Sequence, residues 1–192
     1  ERVDKILKAE NPIKEVEKPK PLNGLNDKIE VRMGNGLAII RPGETDVIII
    51  AGMGAGTMIE ILEAGVEAAR AASLLILQPM AGAPSLRRWA NAHGWYIADE
   101  VLVEEGRHLY EIIVLKRGHE AAVSTVAYEI GPRLLEQRPP LFQKHLAKIC
   151  GQYQKMLLNM QRSAAAKQSD KYQEIQALVQ ELEGLDDGGY GK

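Results

Sequence analysis

Three closely spaced glycines have the arrangement of a loop that could contact a nucleotide or a similar ligand. Gly52, Gly54 and Gly56 lie between a β-branched run and a segment with helical apolar spacing. Glycine lets the backbone turn sharply and lets a ligand approach the main chain, and the following helix N-terminus offers free N–H groups. This segment predicts the nucleotide-binding half of an α/β domain, over residues 27–116. A tight turn without a ligand is the alternative.

The dinucleotide-binding fingerprint fits this loop poorly. The pattern G-x-G-x-x-G needs a glycine at the position of Thr57, and it is usually followed about 20 residues later by an acid that holds the ribose. Residues 71–75 contain no acid. A nicotinamide-dependent enzyme is therefore a disfavoured alternative.

Two further segments are expected near the glycine loop. Gly34-Asn35-Gly36-Leu37 follows Ile29–Met33, whose alternation predicts a half-buried strand, and Gln78-Pro79 ends a predicted buried strand, Leu74–Leu77. Ligands of open α/β sheets bind beyond the carboxyl ends of the strands. We therefore expect the three loops to line one edge, although Asn35-Gly36 taken alone would be an ordinary turn.

A third candidate feature is a basic stripe near the C-terminus. Lys148, Lys155 and Arg162 are spaced seven apart on a predicted long helix, so they share one face. Such a stripe suits RNA phosphates, and a solvated outer face explains it about equally well. Residues 133–167, which contain the stripe, have a net charge of +6. They include one acid, Glu136, and seven basic residues: Arg133, Arg138, Lys144, Lys148, Lys155, Arg162 and Lys167.

Other chemistries have little support in the sequence. The formal charge of −2 predicts no global attraction to nucleic acid, so any such binding must be local. The lone Cys150 excludes an intrachain disulfide and fits a cytoplasmic protein, and no apolar run is long enough to predict a membrane span. Neither a nucleophilic triad nor a metal cluster is indicated, because the histidines have no ligand spacing: His93, His108, His119 and His145.

The element order predicts a mixed sheet with crossover helices. The run Val47–Ala51 predicts a strand covered on both faces, and residues 57–70 predict a helix with Thr57 as its N-cap. A second helix is predicted over Ser85–His93, ended by Gly94, and a hairpin is predicted from the strands Trp95–Glu104 and Leu109–Lys116. Residues 1–22, rich in proline, lysine and glutamate, predict a poorly ordered lead-in.

The last part of the chain predicts two helices that pair antiparallel. A heptad seam on the first helix, which begins near Pro139-Pro140, comprises Phe142, Leu146, Ile149, Tyr153, Met156 and Met160. A turn is predicted over Ser163–Ser169, and the second seam comprises Tyr172, Ile175, Val179 and Leu182. We expect a first domain over residues 1–130 and a helical coiled-coil domain over residues 131–192.

Taken in order, several motifs resemble one family. They are residues 23–37, Ile50-Ala-Gly-Met-Gly54, Leu75-Ile-Leu-Gln-Pro79, Leu86-Arg-Arg-Trp89 with His93-Gly-Trp95, and Tyr110-Glu-Ile-Ile113. The set is similar to the bacterial tRNA (adenine(22)-N1)-methyltransferases, which have a class I S-adenosylmethionine-dependent fold and a C-terminal helical coiled coil. The resemblance implies a Rossmann-like α/β sheet, truncated at its N-terminus because the family's first strand and cofactor loop have no counterpart in residues 1–30.

The resemblance also implies site residues. Cofactor binding falls to Gly34, Asn35, Gly36, Leu37 and Ala51, and the target-base loop, where catalysis occurs, to Gly52, Met53 and Gly54. Contact with the substrate tRNA falls to Gln78 and Pro79, together with the stripe of Lys148, Lys155 and Arg162. The implied enzyme methylates adenine N1 in tRNA, uses S-adenosylmethionine without a metal, and is a monomer or weak dimer. A non-catalytic RNA- or protein-binding module that keeps the fold is the alternative.

Overall fold

The structure is a computed structural model that describes residues 28–186, and the predicted lead-in over residues 1–22 lies outside them. The chain divides into two compact units, Glu1–Met33 and Gly34–Lys192. In the first unit, the predicted strand Ile29–Met33 is wrong, since these residues form neither strand nor helix and all are exposed. Alternation alone does not make a strand, because a strand also needs a hydrogen-bonded neighbour.

The second unit begins with a short 3₁₀ helix, Gly36–Ile39, and continues with a four-stranded sheet. The strands are β1 Val47–Gly54, β2 Leu74–Ala81, β3 Trp95–Glu105 and β4 His108–Arg117. Their order in the sheet is β1-β2-β4-β3, with β1 parallel to β2 and β4 antiparallel to both of its neighbours. The predicted parallel crossover and the predicted hairpin are therefore confirmed, and the sheet is mixed.

The helices are α1 Ala55–Ala64, α2 Val66–Ala71, α3 Ala83–Ala92, α4 Thr125–Ile130, α5 Pro132–Gln137, α6 Phe142–Met160, α7 Ala164–Lys167 and α8 Asp170–Asp186. The helix predicted over residues 57–70 is wrong in its start and in its continuity. The helix predicted from Thr57 begins at Ala55, with Gly54 as its N-cap, and it is interrupted at Gly65. A side chain at Gly65 would lie 2.3 Å from the Cβ of Leu37, so this glycine lets the 3₁₀ helix pack closely.

One face of the sheet packs against α1 and α3. Ile48 and Ile50 of β1 join a core with Leu75 and Leu77 of β2 and with apolar residues of these helices. Val47 and Ile49 point the other way, and Ile49 is 68% exposed. The prediction that β1 is covered on both faces was therefore wrong, since its alternate residues have different environments.

A second core joins the helices after residue 124 to the sheet through Leu102 of β3. The helices α6 and α8 run antiparallel, because Gln161 after α6 donates to the hydroxyl of Tyr172 near the start of α8, while Leu146 shares this core with Leu182. The seam of α8 is buried as predicted, but in α6 burial holds only for the first part, and Met156 is 45% exposed. The predicted turn over Ser163–Ser169 contains the short helix α7.

Candidate functional site

The glycine loop leaves the sheet through an irregularity in the pairing of β1 with β2. Ala51 pairs with Gln78 and Met53 pairs with Pro79, so Gly52 is an extra residue, a β-bulge. Its φ of +76° is one that glycine adopts without strain. The Gly52 N–H, freed from the ladder, donates to Oε1 of Gln78 at 3.0 Å. Two predicted site segments are thus brought together by a direct hydrogen bond.

The space beside this loop is open. A Cβ added at Gly52, Gly54 or Gly56 would meet no atom within 4 Å, and Met53 is 40% exposed. The loop leads directly into α1, whose N-cap, Gly54, supplies no side chain to the first N–H groups of the helix. Those groups have no partner inside a helix, so they are available to an acceptor on a ligand.

The end of β2 forms the other side of the loop. The prediction that Gln78-Pro79 ends this strand was wrong, since β2 continues to Ala81. Pro79 is tolerated because the pairing with β1 is irregular there and β4 pairs only with Leu75–Leu77. Gln78 also donates to Sδ of Met80 at 3.6 Å. The Gln78 amide is therefore oriented by contacts on both sides.

The segment Gly34–Leu37 lies elsewhere along α1. A Cβ at Gly36, whose φ is +55°, would lie 2.8 Å from Cγ2 of Ile61, and Leu37 is buried against Gly65. Because a helix rises about 1.5 Å per residue, Gly65 is roughly 15 Å from the start of α1. The described contacts of this segment are at the opposite end of α1 from the glycine loop, so the expectation that three loops line one edge holds only for the glycine loop and Gln78-Pro79. The cofactor role of Gly34–Leu37 stays a prediction.

The predicted basic stripe is divided by the structure. Lys148 donates to the carbonyl of Leu109 at 3.3 Å, which places its ammonium beside the β3–β4 hairpin. Lys155 is exposed on the same helix. Arg162 lies beyond the end of α6, where its N–H donates to the carbonyl of Asn159 in a turn. The three residues therefore do not form one continuous helical stripe.

A cleft of about 740 Å³ opens next to Pro79. One wall is the end of β2 and the start of α3, the second is the hairpin, and the third is α6. Four of its lining side chains are cationic and two are carboxylates: Arg88, Arg107, Lys144 and Lys148, with Glu111 and Glu129. This concave surface adjoins the glycine loop through the Gln78-Pro79 segment.

Polar contacts across the cleft tie α6 to α3 and α4. Glu129 accepts from Nη2 of Arg88 at 2.8 Å and from the hydroxyl of Tyr153 at 2.5 Å. Burial and the neighbouring Glu129 raise the pKa of Tyr153 well above its ordinary value, so the hydroxyl keeps its proton and remains a donor. The side of the cleft lined by Glu129 is consequently fixed by a bridge between three helices.

A buried ion cluster lies behind the cleft. Arg87 is fully buried and donates to Oε1 of Glu100 and to Oε2 of Glu111, both at 2.7 Å, and to the carbonyl of Tyr128 at 2.9 Å. Burial lowers the pKa of the Arg87 guanidinium, but Glu100 and Glu111 outweigh this effect and hold it above its ordinary value. Burial raises the pKa of the Glu100 carboxyl, which Arg87 and the N–H of Arg133 oppose. The ions therefore depend on one another for their charge.

His145 of α6 completes this cluster. Its Nε2 lies 2.8 Å from the Ile130 carbonyl and 3.8 Å from Glu111, while its buried Nδ1 has no described partner. Burial lowers the pKa of His145 although Glu111 opposes the shift. A neutral ring that donates from Nε2 to the Ile130 carbonyl fits these contacts, and it links α6 to the end of α4.

Sequence reasoning gave this cluster no role. One signal was present, because Arg87 lies on the apolar stripe of α3 with Ala83, Leu86 and Ala90. A lone arginine on such a stripe indicates a buried ion pair, since an unpaired charge is costly to bury. Its partners come from distant segments, so spacing could not identify them. Among the described residues, no group of three or more His, Cys, Asp or Glu could hold a metal, and no helix is long and apolar enough to span a membrane.

The fold and this site define the class of protein as a Rossmann-like α/β protein with a glycine loop after a parallel strand. A protein of the NADB-Rossmann superfamily from Streptococcus agalactiae superposes with a TM-score of 0.71 at 25% identity, over 83% of this chain and 68% of that one.

The particular family is also clear. Residues 9–184 match the tRNA (adenine(22)-N(1))-methyltransferase family, and the chain belongs to it. The Bacillus subtilis tRNA (adenine(22)-N(1))-methyltransferase is 33% identical over 168 residues, which are 85% of this chain and 70% of the relative. A candidate tRNA (m1A22) methyltransferase from Streptococcus pneumoniae, solved with S-adenosyl-L-methionine, is 31% identical with a TM-score of 0.66, over 83% of this chain and 69% of that one. The predicted family is confirmed.

Proposed function

We propose that this protein methylates N1 of adenine 22 in tRNA, with S-adenosylmethionine as the methyl donor. The observation that carries the proposal is the open glycine loop, Gly52–Gly54, held against Gln78 in a chain of this methyltransferase family. The fixed loop beside open space suits a reaction in which two ligands must meet in one orientation.

The described residues fit the part of the site where the methyl group is transferred. Gly52 and Gly54 leave room that a side chain would occupy, and the bulge turns the backbone away from the sheet. The cofactor supplies a methyl group on a sulfonium when bound. Gly52, Met53 and Gly54 would position the adenine, with Gln78 and Pro79 beside it, and such alignment supplies most of the acceleration in reactions of this kind.

We assign the other predicted cofactor contacts to Ala51 and to the segment Gly34–Leu37. Ala51 precedes the bulge and pairs with Gln78, so strand pairing fixes its position beside the glycine loop. Asn35 is exposed, and no hydrogen bond from its side chain caps the 3₁₀ helix, which leaves its amide available to a nucleoside. We further predict a cytoplasmic location and a coiled-coil domain over residues 131–192. We also predict a monomer or weak dimer, and light scattering would measure this oligomeric state.

The test has two arms. Calorimetric titration of the protein with S-adenosylmethionine measures cofactor binding, and transfer of a labelled methyl group to tRNA transcripts measures activity. We expect incorporation into a transcript with adenine at position 22 and none into the same transcript with guanine there. Primer extension should stop just before position 22 is copied, because a methyl group on N1 blocks base pairing. Binding of tRNA without methyl transfer, at any cofactor concentration, would instead support a non-catalytic module.

A further inference from the structure

The cleft beside Pro79 contains two cations whose charge no described residue neutralises. Arg88 is paired with Glu129 at 2.8 Å, and Lys144 is paired with Glu104. Arg107 and Lys148 line the same cleft, and within residues 28–186 neither has a carboxylate at ion-pair distance. Lys148 is held by the neutral carbonyl of Leu109.

Arg107 and Lys148 differ from the other charged side chains that line the cleft, because those side chains are paired. The carboxylates of the cleft are already engaged, since Glu111 accepts from the buried Arg87 and Glu129 accepts from Arg88 and Tyr153. The wall near Arg107 and Lys148 therefore has a local positive potential. Cationic side chains in a concave surface attract anions more strongly than the same charges on a flat surface.

The position of the cleft indicates which anion it receives. It begins at Pro79, next to the bulge that holds the target-base loop, and it continues along α6. Two rings on the hairpin, His108 and Tyr110, line it with their centroids 6.0 Å apart. Partly open aromatic rings beside cations are typical of surfaces that bind unpaired nucleotides and their phosphates.

We propose that this cleft holds the RNA backbone next to the target adenine, with Arg107 and Lys148 as the phosphate contacts. The inference rests on the proposed function and refines it. It replaces a contact along the whole basic stripe with one concentrated at Lys148 and the hairpin, because Lys155 and Arg162 lie outside the cleft.

The experiment compares charge reversals inside and outside the cleft by measuring tRNA binding at several salt concentrations. Arg107→Glu and Lys148→Glu should each weaken tRNA binding by about tenfold and make the salt dependence shallower by about one ion. Lys116→Glu and Arg70→Glu are matched controls, since both residues are exposed cations that do not line the cleft. They should change the tRNA affinity by less than about threefold.

Lys155→Glu and Arg162→Glu decide between the cleft and the stripe. Small effects at both positions, beside large effects at Arg107 and Lys148, support the cleft. Equal losses at Lys148, Lys155 and Arg162 would overturn it in favour of the stripe. Losses at Arg107 and Lys148 no larger than those of the two controls would overturn it as well.

Neutral variants separate charge from structure. Lys148→Gln keeps a donor for the Leu109 carbonyl, and Arg107→Gln changes only an exposed turn residue, so both should fold and still weaken tRNA binding. Calorimetry with S-adenosylmethionine should be unchanged in all of these variants. If the unaltered protein binds tRNA but transfers no methyl group, the proposed function fails, whereas methyl transfer that is insensitive to Arg107 and Lys148 rejects only the cleft.

Discussion

The glycine loop and the buried ion cluster both contain a glycine with positive φ, but the two glycines have different surroundings. Gly52, at φ +76°, has no atom within 4 Å of the position of a Cβ. Gly131, at φ +112°, would place a Cβ 2.7 Å from Oε2 of Glu100 and 2.9 Å from Nη2 of Arg87. Gly52 allows a turn of the backbone next to open space, whereas the missing side chain of Gly131 leaves room for the charged groups of Glu100 and Arg87.

This difference separates a functional region from a structural one. The bulged residue Gly52 is held to β2 by an exposed hydrogen bond to the Gln78 side chain, so changes there should affect activity more than stability. The cluster around the buried Arg87 joins α3, β3, β4 and α4, so changes there should affect stability first.

The largest effect is expected for Arg87→Met. The variant leaves Glu100 and Glu111 without their partner, and removing one member of a buried ion pair costs roughly 3–5 kcal/mol. The free energy of unfolding, measured in urea, should fall by this amount. Arg88→Met is the control, because the Arg88 side chain is 42% exposed and its partner Glu129 keeps the hydrogen bond from Tyr153, so its loss should cost only about 1 kcal/mol. Equal losses in the two variants would mean that the buried cluster contributes no more to stability than an exposed ion pair.

The next largest effect is expected for Gly131→Ala, whose free energy of unfolding should fall by roughly 3 kcal/mol. The added methyl group meets two ions that cannot move apart easily, and the backbone conformation itself is strained for alanine. Gly52→Ala carries only the backbone strain, about 1–2 kcal/mol. The difference between these two losses in urea unfolding measures the steric contribution, and identical losses would contradict the packing around Gly131.

The same Gly52→Ala variant should lose activity beyond its loss of stability. Gly43 is the matched control, since its φ is +78° and a Cβ there also meets nothing within 4 Å. We expect the two variants to unfold alike, while methyl transfer to tRNA falls at least about tenfold in Gly52→Ala alone. A parallel loss in Gly43→Ala would show that general destabilisation, and not the site, is responsible.

Sequence reasoning succeeded where the signal was local. The runs of β1 and β2, the hairpin, and the glycine loop were visible as apolar patterns with turn residues between them. It failed where a distant partner decided the outcome. Ile29–Met33 alternates correctly but has no strand pairing, and Met156 has the seam spacing but lines the cleft instead.

The candidate site shows the same division. Gly52 and Gln78 were predicted to lie near one another from the rule on strand ends, whereas the hydrogen bond between them depends on a bulge that no residue pattern specifies. The ion cluster was missed because Arg87, Glu100 and His145 come from α3, β3 and α6, and only the fold brings them together.

A smaller effect is expected from pH, and it tests the cluster through His145. Burial lowers its pKa, so the folded state keeps the ring neutral while the unfolded state binds a proton below about pH 6.5. Stability contributed by this group is therefore present at neutral pH and lost as the pH falls. Between about pH 7.5 and 5.5, the unfolding free energy should drop by about 1 kcal/mol more in the unaltered protein than in His145→Gln.

The charged groups around His145 shift its pKa in opposite directions. The direction in which stability changes with pH therefore shows which of them dominates. Arg87 and Lys148 disfavour the protonated ring, whereas Glu111, 3.8 Å away, and the hydrogen bond to the Ile130 carbonyl favour it. A stability that rises on acidification would mean that Glu111 dominates and that the ring carries a charge in the cluster. His119→Gln, an exposed histidine, is the control for general titration effects.

The smallest effect on stability is expected for Gln78→Ala, at the other side of the comparison. The variant removes the acceptor for the Gly52 N–H, and because this bond is exposed, water can replace it at a cost of under about 1 kcal/mol. The maximal rate of methyl transfer should nevertheless fall about tenfold, because the loop loses the contact that orients it. Gln78→Glu keeps an oxygen at the same distance and should recover part of the rate. If Gln78→Ala unfolds like the unaltered protein and also retains its maximal rate, the bulge alone sets the loop, and the hydrogen bond contributes neither to stability nor to the site.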